Sequence, residues 1–322
     1  MKHSMITKDK ISQNETKMFH VKHPITKTSI KKTEMASLHT QNIEKEWPVL
    51  YNLQSLIYGG KYMGKAIAIF NQKGGVGKTT TNINLSACLA LKGKKVLVVD
   101  IDPQGNTTSG IGITKRNLDY TLYDVLINED FDVRKAILKT KTKNLSIIPA
   151  SVDLSGAEIE LVNIEGREKT LKKAIDRLRA DYDYIFIDCP PSLGLLTINS
   201  LTAVDSVLIP IQCEFYALEG VSQLMNTIEL VRKNMNPNLK ISGVILSMFD
   251  GRTNLSIQVV NEVKKYFGAL VYSTVIPRNV RLAEAPSYGM PVVKYDPSST
   301  GAKAYQRFAV EFLQREEQEN DG

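Results

Sequence analysis

The chain has 322 residues, of which 43% are hydrophobic, and it carries a formal net charge of +7. This length suffices for one large domain or two small ones, and no stretch approaches the eighteen consecutive apolar residues that a transmembrane helix needs. All four histidines precede Met63, which excludes histidine-based catalysis and histidine metal sites from the remainder of the chain.

The first 62 residues differ in composition from the rest. They hold ten Lys or Arg against five Asp or Glu, and they show no sustained apolar periodicity. They also lack the apolar segment of roughly 7–15 residues that a secretory signal requires. Three interpretations stay open: a disordered basic arm that binds DNA, a targeting sequence, or translated upstream DNA. The last is favoured, and residues 63–322 are expected to form a single domain.

Short runs rich in Val and Ile predict six strands in the remainder, at 65–70, 95–99, 184–187, 207–211, 241–248 and 271–276. The runs are nearly continuous, which is typical of strands buried on both faces of a parallel sheet. Helix-like segments alternate with them at 79–92, 151–162, 167–180, 217–234, 254–266 and 301–317. This order predicts an α/β fold, a doubly wound and mostly parallel sheet with helices on both faces. The stretch 112–145 is less regular and receives no assignment.

The sequence N-Q-K-G-G-V-G-K-T-T at 71–80 lies between the first strand and the first helix, as a phosphate-binding loop does. Glycines let backbone N–H groups approach phosphate oxygens, and the following helix presents its positive end. Lys78 supplies a point charge, and Thr79 can offer a hydroxyl to magnesium. The ordinary pattern has glycine where Gln72 stands, and Lys73 is an extra lysine. A nucleoside triphosphate is therefore expected on a P-loop of the deviant Walker A type.

Predicted strands precede the phosphate loop, Asp102 and Asp188, so these three are expected to converge on one crevice at the carboxyl ends of the strands. Asp188 fits a Walker B carboxylate that acts on magnesium, although a turn or a helix N-cap would also explain an aspartate there. Asp100 and Asp102 both follow the second strand. The residues alone do not decide which of these two would act in the crevice.

Further motifs follow the phosphate loop in order. They are D-I-D-P-Q-G-N at 100–106, D-C-P-P at 188–191, C-E-F-Y-A-L-E-G at 213–220 and I-P-R-N-V-R at 276–281. With the deviant loop they closely resemble the ParA/Soj chromosome- and plasmid-partitioning ATPases, over about residues 63–315. Members of that family usually begin near the position of Met63, which agrees with the favoured interpretation of the leader.

The resemblance implies ATP and Mg²⁺ as ligands and ATP hydrolysis as the activity. Lys78 is expected to contact the β- and γ-phosphates, while Thr79 and Asp188 hold the metal ion. Asp102, favoured over Asp100 by the resemblance, is expected to orient the attacking water. The remaining loop contacts to the nucleotide are expected from Gly74, Gly75, Val76, Gly77 and Thr80.

The resemblance also implies a nucleotide-sandwich homodimer that forms with ATP. Lys73 is expected to reach the phosphates bound by the partner subunit, which adds it to the catalytic residues. Pro277 and Asn279 are expected to flank the adenine. Without the resemblance, the Pro-Arg-Asn sequence would be interpreted as an ordinary turn.

The family function implies non-specific binding of double-stranded DNA, release by a ParB-type centromere-binding protein, and a cytoplasmic, nucleoid-associated location. Region 241–315 holds nine Lys or Arg against five Asp or Glu. Arg252 and Arg281 are the expected DNA contacts, and solvated surface arginines are the alternative. Three further candidates are Arg278, Lys294 and Arg307.

Two other functions use the same loop. A membrane-associated cell-division regulator resembling MinD would end in a basic amphipathic helix, but residues 316–321 are mostly acidic and should be repelled by anionic lipid. The apolar face of the last helix is therefore expected to pack on the body; its residues are Tyr305, Phe308, Ala309, Phe312 and Leu313. A redox protein or an amide-forming synthetase is the third possibility, for which Cys88, Cys189 and Cys213 are poorly placed and no second substrate pocket is evident.

Overall fold

The computed structural model describes residues 63–214 and 219–320. The leader of residues 1–62 lies outside the described residues, so its interpretation stays a prediction. The centre of the motif at 213–220 and the first two residues of the helix predicted at 217–234 lie outside them as well.

Eight strands form one sheet. They are β1 (Lys65–Ile69), β2 (Val96–Asp100), β3 (Leu138–Lys139), β4 (Leu145–Ile148), β5 (Tyr184–Asp188), β6 (Ser206–Gln212), β7 (Lys240–Phe249) and β8 (Val271–Pro277). Their order across the sheet is β3-β4-β2-β5-β1-β6-β7-β8. All neighbours pair in parallel except β3, which runs antiparallel to β4 at one edge. The predicted, mostly parallel sheet is confirmed.

The α-helices of the described residues are α1 (Lys78–Leu91), α2 (Asn106–Gly110), α3 (Leu122–Ile127), α4 (Leu154–Glu160), α5 (Thr170–Asp176), α6 (Leu195–Ala203), α7 (Glu219–Asn234), α8 (Asn254–Phe267), α9 (Val280–Glu284), α10 (Val292–Tyr295) and α11 (Thr300–Asn320). Two are shorter than the sequence predicts. The chain around α4 and α5 passes through 3₁₀ turns, and Gly166 with φ of 70° interrupts the helical path between them. The helix α6 was not predicted.

Helices cover both faces of the sheet because its buried residues alternate between two cores. In β1, Ile67 and Ile69 join one core, which contains the apolar sides of α1, α10 and α11. Ala66 and Ala68 join the other, which contains the apolar sides of α3 to α8. This alternation confirms the doubly wound arrangement and directs the carboxyl ends of the strands toward one edge.

The last helix, α11, packs against the body as expected. Its predicted apolar face is buried, with Phe308 and Phe312 fully enclosed. Near its end, the Glu316 carboxylate lies 2.8 Å from the ammonium of Lys65 at the start of β1. Among the described residues, no helix is long and apolar enough to cross a membrane.

Candidate functional site

The glycine loop between β1 and α1 adopts a conformation that favours glycine. Gly75 and Gly77 have φ of 74° and 93°, in the left-handed region that side chains with a Cβ rarely adopt. Among the described residues, no heavy atom beyond the chain neighbours lies within 4 Å of a Cβ built on Gly74 or Gly75. Gly77 caps α1 without a side-chain hydrogen bond, so the first N–H groups of this helix point into an open loop.

Two strands other than β1 hold the loop in place. The Asn71 amide donates to the Pro210 carbonyl on β6 at 2.9 Å, and its oxygen accepts from the Lys73 backbone N–H. The Ser247 hydroxyl on β7 donates to the Val76 carbonyl at 2.7 Å. The loop is thus fixed before any ligand binds, which lowers the conformational cost of holding phosphates.

The two lysines of the loop have different surroundings. Lys78 is only 7% exposed, and its ammonium donates to the Lys73 carbonyl at 3.0 Å. Burial lowers the pKa of Lys78, and the attraction of Asp188 opposes that shift. The Lys73 side chain is partly exposed, and its ammonium makes no ion pair with any described residue. Lys78 therefore lies inside the loop, whereas the Lys73 ammonium is free for a partner outside the subunit.

Asp188 ends β5 inside the crevice and meets the helix that follows the loop. One carboxylate oxygen accepts hydrogen bonds from the hydroxyls of Thr79, at 2.8 Å, and Thr107, at 2.7 Å. The other oxygen is buried and has no hydrogen-bond partner among the described residues. Burial raises the pKa of Asp188 to about 6, while the two hydroxyl bonds act in the opposite direction. The next helix, α6, is capped by Gly194, so Asp188 is not its N-cap.

This arrangement fits a magnesium ion beside the loop. A buried carboxylate oxygen without a partner costs free energy unless a cation or a water molecule binds to it. Oxygen ligands are those that Mg²⁺ prefers, and Thr79 supplies a hydroxyl beside the same carboxylate. No group of three His, Cys, Asp or Glu side chains in residues 63–214 and 219–320 offers a metal site of its own. A metal ion here would therefore depend on phosphate oxygens and water for its other ligands.

The two aspartates after the second strand lie in different environments. Asp100 is fully buried, and one of its oxygens accepts from both the N–H and the hydroxyl of Thr108, each at 2.7 Å. Burial, reinforced by the charge of Asp188, raises the pKa of Asp100 to about 8. Asp102 is partly exposed, and its carboxylate accepts from the Gln104 N–H at 2.9 Å. Of the two, Asp102 is the one whose carboxylate water can reach.

The residues expected at the adenine lie three strands away from β1 in the sheet. Pro277 ends β8 and is partly exposed. Asn279 caps α9, because its oxygen accepts from the Arg281 N–H at 3.0 Å, and its amide donates to Thr300 at 2.8 Å. Both polar groups of the Asn279 side chain are thus engaged within the subunit, and these bonds fix the orientation of the side chain.

The expected DNA contacts follow β7 and β8. Arg252, after β7, has a side chain that is 88% exposed, and Arg281 in α9 is half-exposed. Arg278 directly follows β8 and is exposed, so these three arginines share the carboxyl edge of neighbouring strands. Lys294, in α10, instead donates to the carbonyl of Lys141 at 2.8 Å.

Arg307 is an exposed residue of α11, on a different element from the other candidates. The structure therefore places three of the five DNA candidates just beyond the carboxyl ends of β7 and β8. Two residues of the site, Thr107 and Ser247, were not predicted from the sequence. Their contacts span 81 and 171 positions of the chain, and the only available signal was the threonine pair directly after the D-P-Q-G-N motif.

Comparison with known proteins gives consistent matches. A family model described as an AAA domain matches residues 64–241. The chain is 62% identical over 249 residues to the sporulation initiation inhibitor protein Soj of Bacillus subtilis (strain 168), covering 77% of this chain and 98% of that protein. It is 52% identical over 258 residues to the chromosome partitioning protein ParA of Myxococcus xanthus (strain DK1622), covering 80% of this chain and 91% of that protein.

A solved structure is also similar. Cobyrinic acid a,c-diamide synthase from Mycobacterium smegmatis, with bound ADP and magnesium, matches with a TM-score of 0.69 at 38% identity, covering 79% of this chain and 96% of that chain. Its sequence identity to this chain is lower than that of the Soj and ParA proteins.

Proposed function

The chain belongs to the AAA-domain family and, within it, to the ParA/Soj chromosome-partitioning proteins, and on this premise we propose that it hydrolyses ATP to move DNA. The observation that carries the proposal is the open glycine loop beside Lys78 and Thr79, facing the unpartnered oxygen of Asp188. An ADP-magnesium complex of a similar protein supports nucleotide and Mg²⁺ as the ligands of this loop.

Each residue has a role set by its position. The amides of Gly74, Gly75, Val76, Gly77, Lys78, Thr79 and Thr80 hold phosphate oxygens at the positive end of α1. The Lys78 ammonium balances charge on the β- and γ-phosphates, and Thr79 and Asp188 hold Mg²⁺. When bound, the ion neutralises the charge that develops between these phosphates. Asp102 accepts a hydrogen bond from the attacking water and orients it toward the γ-phosphate.

The dimer and the adenine contacts complete the nucleotide site. Lys73 reaches phosphate bound by the partner subunit, since its ammonium is not engaged by any described residue of its own subunit. Because that contact exists only in the dimer, ATP favours dimer over monomer. Pro277 flanks the adenine together with Asn279, whose capping bonds fix its position.

The DNA-binding form is the ATP-bound dimer on the nucleoid, within the cytoplasm. Arg252 and Arg281 contact phosphates without reading sequence, and Arg278 adds a third positive charge at the same edge. Two subunits double the number of contacts. A ParB-type protein stimulates hydrolysis, and the subunits then leave the DNA. The names of the relatives support this cycle, since the chain is more similar in sequence to Soj and ParA than to the synthase.

The alternative functions receive less support. The membrane-regulator alternative needs a free amphipathic tail, but the apolar face of α11 is buried in the core. The redox alternative needs clustered thiols, whereas the cysteines of the described residues are all free and buried, and no metal-binding group includes them. The similar synthase favours an amide-forming activity, but at 38% identity against 62% for Soj.

The test is binding of the full chain to arbitrary duplex DNA with ATP, ADP or no nucleotide, across a salt series. We expect tight binding with ATP alone. The logarithm of the affinity should fall by about 0.9 per phosphate contact for each log unit of salt. Binding that ignores salt or nucleotide would contradict the proposal. Absence of DNA binding in every state, together with binding to anionic liposomes, would favour the membrane regulator.

A further inference from the structure

The two arginines proposed to contact DNA are already paired with carboxylates of their own subunit. Arg252 donates to both oxygens of Asp250, at 2.8 and 2.7 Å. Arg281 donates to Glu284 at 2.7 Å, and its Nε lies 3.3 Å from Asp296. The bidentate pair uses the Nε–Nη2 edge of the Arg252 guanidinium, one of the edges that could bind a phosphate in the same geometry.

The third arginine of this edge repeats the pattern. Arg278 lies 3.1 Å from Glu214, and its backbone N–H donates to the Phe249 carbonyl, which places it beside the Asp250 turn. The hydrogen bonds from Arg252 lower the pKa of Asp250 to about 2, and the charge of Arg278 contributes in the same direction. Asp250 therefore stays charged at any pH where DNA is bound.

A carboxylate in this position affects DNA binding in two ways. It occupies one edge of the guanidinium and offsets its charge, and it repels a phosphate that approaches the same group. Exposed ion pairs are weak, so a phosphate can displace the carboxylate, but the displaced charge remains nearby. An arginine neutralised in this way also releases fewer counterions from DNA than a free one.

We propose that Asp250 and Glu284 set the DNA affinity of this surface, because they hold Arg252 and Arg281 in ion pairs with which a DNA phosphate must compete. The inference rests on the proposed function, in which these arginines bind DNA. One subunit then binds DNA weakly, and useful affinity requires the two sets of arginines in a dimer. The acidic residues thereby make DNA binding depend on the nucleotide-driven dimer.

The test compares Asp250→Asn and Glu284→Gln with the wild type, using the full chain and fluorescence anisotropy on a labelled duplex. Each amide keeps an acceptor oxygen, so the Arg252 N–H bond of the Asp250 turn survives. Each variant is expected to bind about twofold to fivefold more tightly with ATP. The salt slope should steepen by about 0.9 for each Arg252 released by Asp250→Asn, and by less for Glu284→Gln because Arg281 keeps its contact with Asp296. Weak binding should emerge with ADP.

The matched control is Glu229→Gln, which adds the same charge. Glu229 also pairs with an arginine three positions away, Arg232, but that arginine donates to the Leu239 carbonyl at the opposite end of β7. We expect the control to change DNA affinity much less than Asp250→Asn. Equal gains in the two variants would mean that net charge alone acts, and would overturn the inference.

A second comparison identifies the arginine as the mediator. In a protein that also carries Arg252→Ala, Asp250→Asn should raise the DNA affinity no more than the control Glu229→Gln does. If the gain persists without Arg252, the inference is wrong. If the wild type binds DNA with ATP but neither amide variant binds more tightly, the inference fails and the proposed function stands. If no variant binds DNA in any nucleotide state, both fail.

Discussion

Two buried aspartates end neighbouring strands, and their hydrogen bonds separate their roles. Asp100 and Asp188 are paired across β2 and β5. Asp188 accepts two hydroxyls, one of them from the phosphate-loop helix, and keeps one oxygen for a ligand. Asp100 accepts both donors of Thr108 on one oxygen, and its other oxygen is likewise buried without a partner among the described residues. Two carboxylates this close cannot both ionise cheaply, so the neutral form of Asp100 favours the charged form of Asp188.

Replacement of Asp100 by Asn is expected to reduce the amount by which the free energy of unfolding falls as pH rises. Burial raises the pKa of Asp100 from its ordinary 3.8 to about 8, so between these values the folded chain holds a proton that the unfolded chain releases. The unfolded state then binds fewer protons, and the free energy of unfolding falls as pH rises, by at most about 1.4 kcal/mol per pH unit. Asn cannot titrate and removes this contribution.

Urea unfolding of both proteins at pH 5, 6 and 7 measures this difference. The wild type should lose more stability than the variant over the interval, and Asp130→Asn, at an exposed position, should follow the wild type. Parallel curves for wild type and Asp100→Asn would show that Asp100 is ionised in the folded chain.

At the scale of the element, β7 connects the phosphate loop to the arginine edge. Ser247 contacts the loop, and Met248, the next residue, has φ of 52°, a left-handed conformation that side chains rarely adopt. The pairing of β7 with β8 shifts register between Leu246 and Phe249, at the same place. Asp250 and Arg252 follow this irregular segment of β7 directly. The contact between Ser247 and the phosphate loop therefore lies next to the segment that orients Asp250 and Arg252.

Ser247→Ala is expected to weaken both stability and ATP binding. It removes the buried donor to the Val76 carbonyl, which costs roughly 1–3 kcal/mol when no other group replaces it. The control is Ser242→Ala on the same strand, where the hydroxyl donates to the Val207 carbonyl away from the loop. Both variants should melt earlier, but calorimetric titration should show weaker ATP binding for Ser247→Ala alone. Equal ATP affinities would contradict a role of Ser247 in shaping the loop.

The elements that carry strong local patterns could be predicted from the sequence. The central strands and the long helices lie within a few residues of their predicted positions, because buried apolar runs and amphipathic spacing specify them locally. The edge strand β3 and its neighbour β4 have two and four residues, and their conformation depends on pairing, of β3 with β4 and of β4 with β2. Helix α6 was missed because its small and polar residues are buried against other elements and give no amphipathic signal.

The same distinction holds at the site. The glycine loop, Lys78 and Asp188 could be predicted, since their chemistry follows from residue type and position after a strand. The separation of Asp100 from Asp102 could not, because it depends on Thr108 and on burial by the folded sheet. The ion pairs of Arg252 and Arg281 could not be predicted either, although Asp250 and Glu284 lie within three positions of these arginines. Spacing alone does not say whether two exposed charges meet.

At the scale of the whole molecule, the amino and carboxyl ends of the parallel strands differ in whether their polar groups have partners. At the amino ends of the strands, the Arg179 guanidinium donates hydrogen bonds to Asp205, at 2.6 Å, and to the carbonyls of Gly64 and Ala203. The Lys65 ammonium forms an ion pair with Glu316 near the end of α11. At the carboxyl edge, the open glycine loop, the Lys73 ammonium and one oxygen of Asp188 have no partner among the described residues. The groups that are available to ligands therefore include these at the carboxyl ends of the strands, and in the proposed dimer this is the end at which a second subunit would meet the nucleotide.

Lys73→Ala is expected to bind ATP but to remain monomeric. The loop amides and Lys78 stay in place, since the Lys73 backbone, not its side chain, holds the Lys78 ammonium. Only the cross-subunit contact with phosphate is lost, so ATP no longer distinguishes dimer from monomer. Light scattering with excess ATP should then report the monomer mass, while titration of ATP shows nearly wild-type affinity for a single subunit.

Lys92→Ala is the control, because it removes an exposed lysine just beyond the far end of α1. It should dimerise with ATP as the wild type does. An ATP-dependent dimer of Lys73→Ala would mean that other contacts complete the interface, and Lys73 would lose its proposed role. A variant that fails to bind ATP at all would place Lys73 in its own subunit's site, where its ammonium would have to turn toward the phosphates beside Lys78. Dimer mass and nucleotide affinity, measured on the same sample, therefore separate a cross-subunit lysine from a second lysine of the local loop.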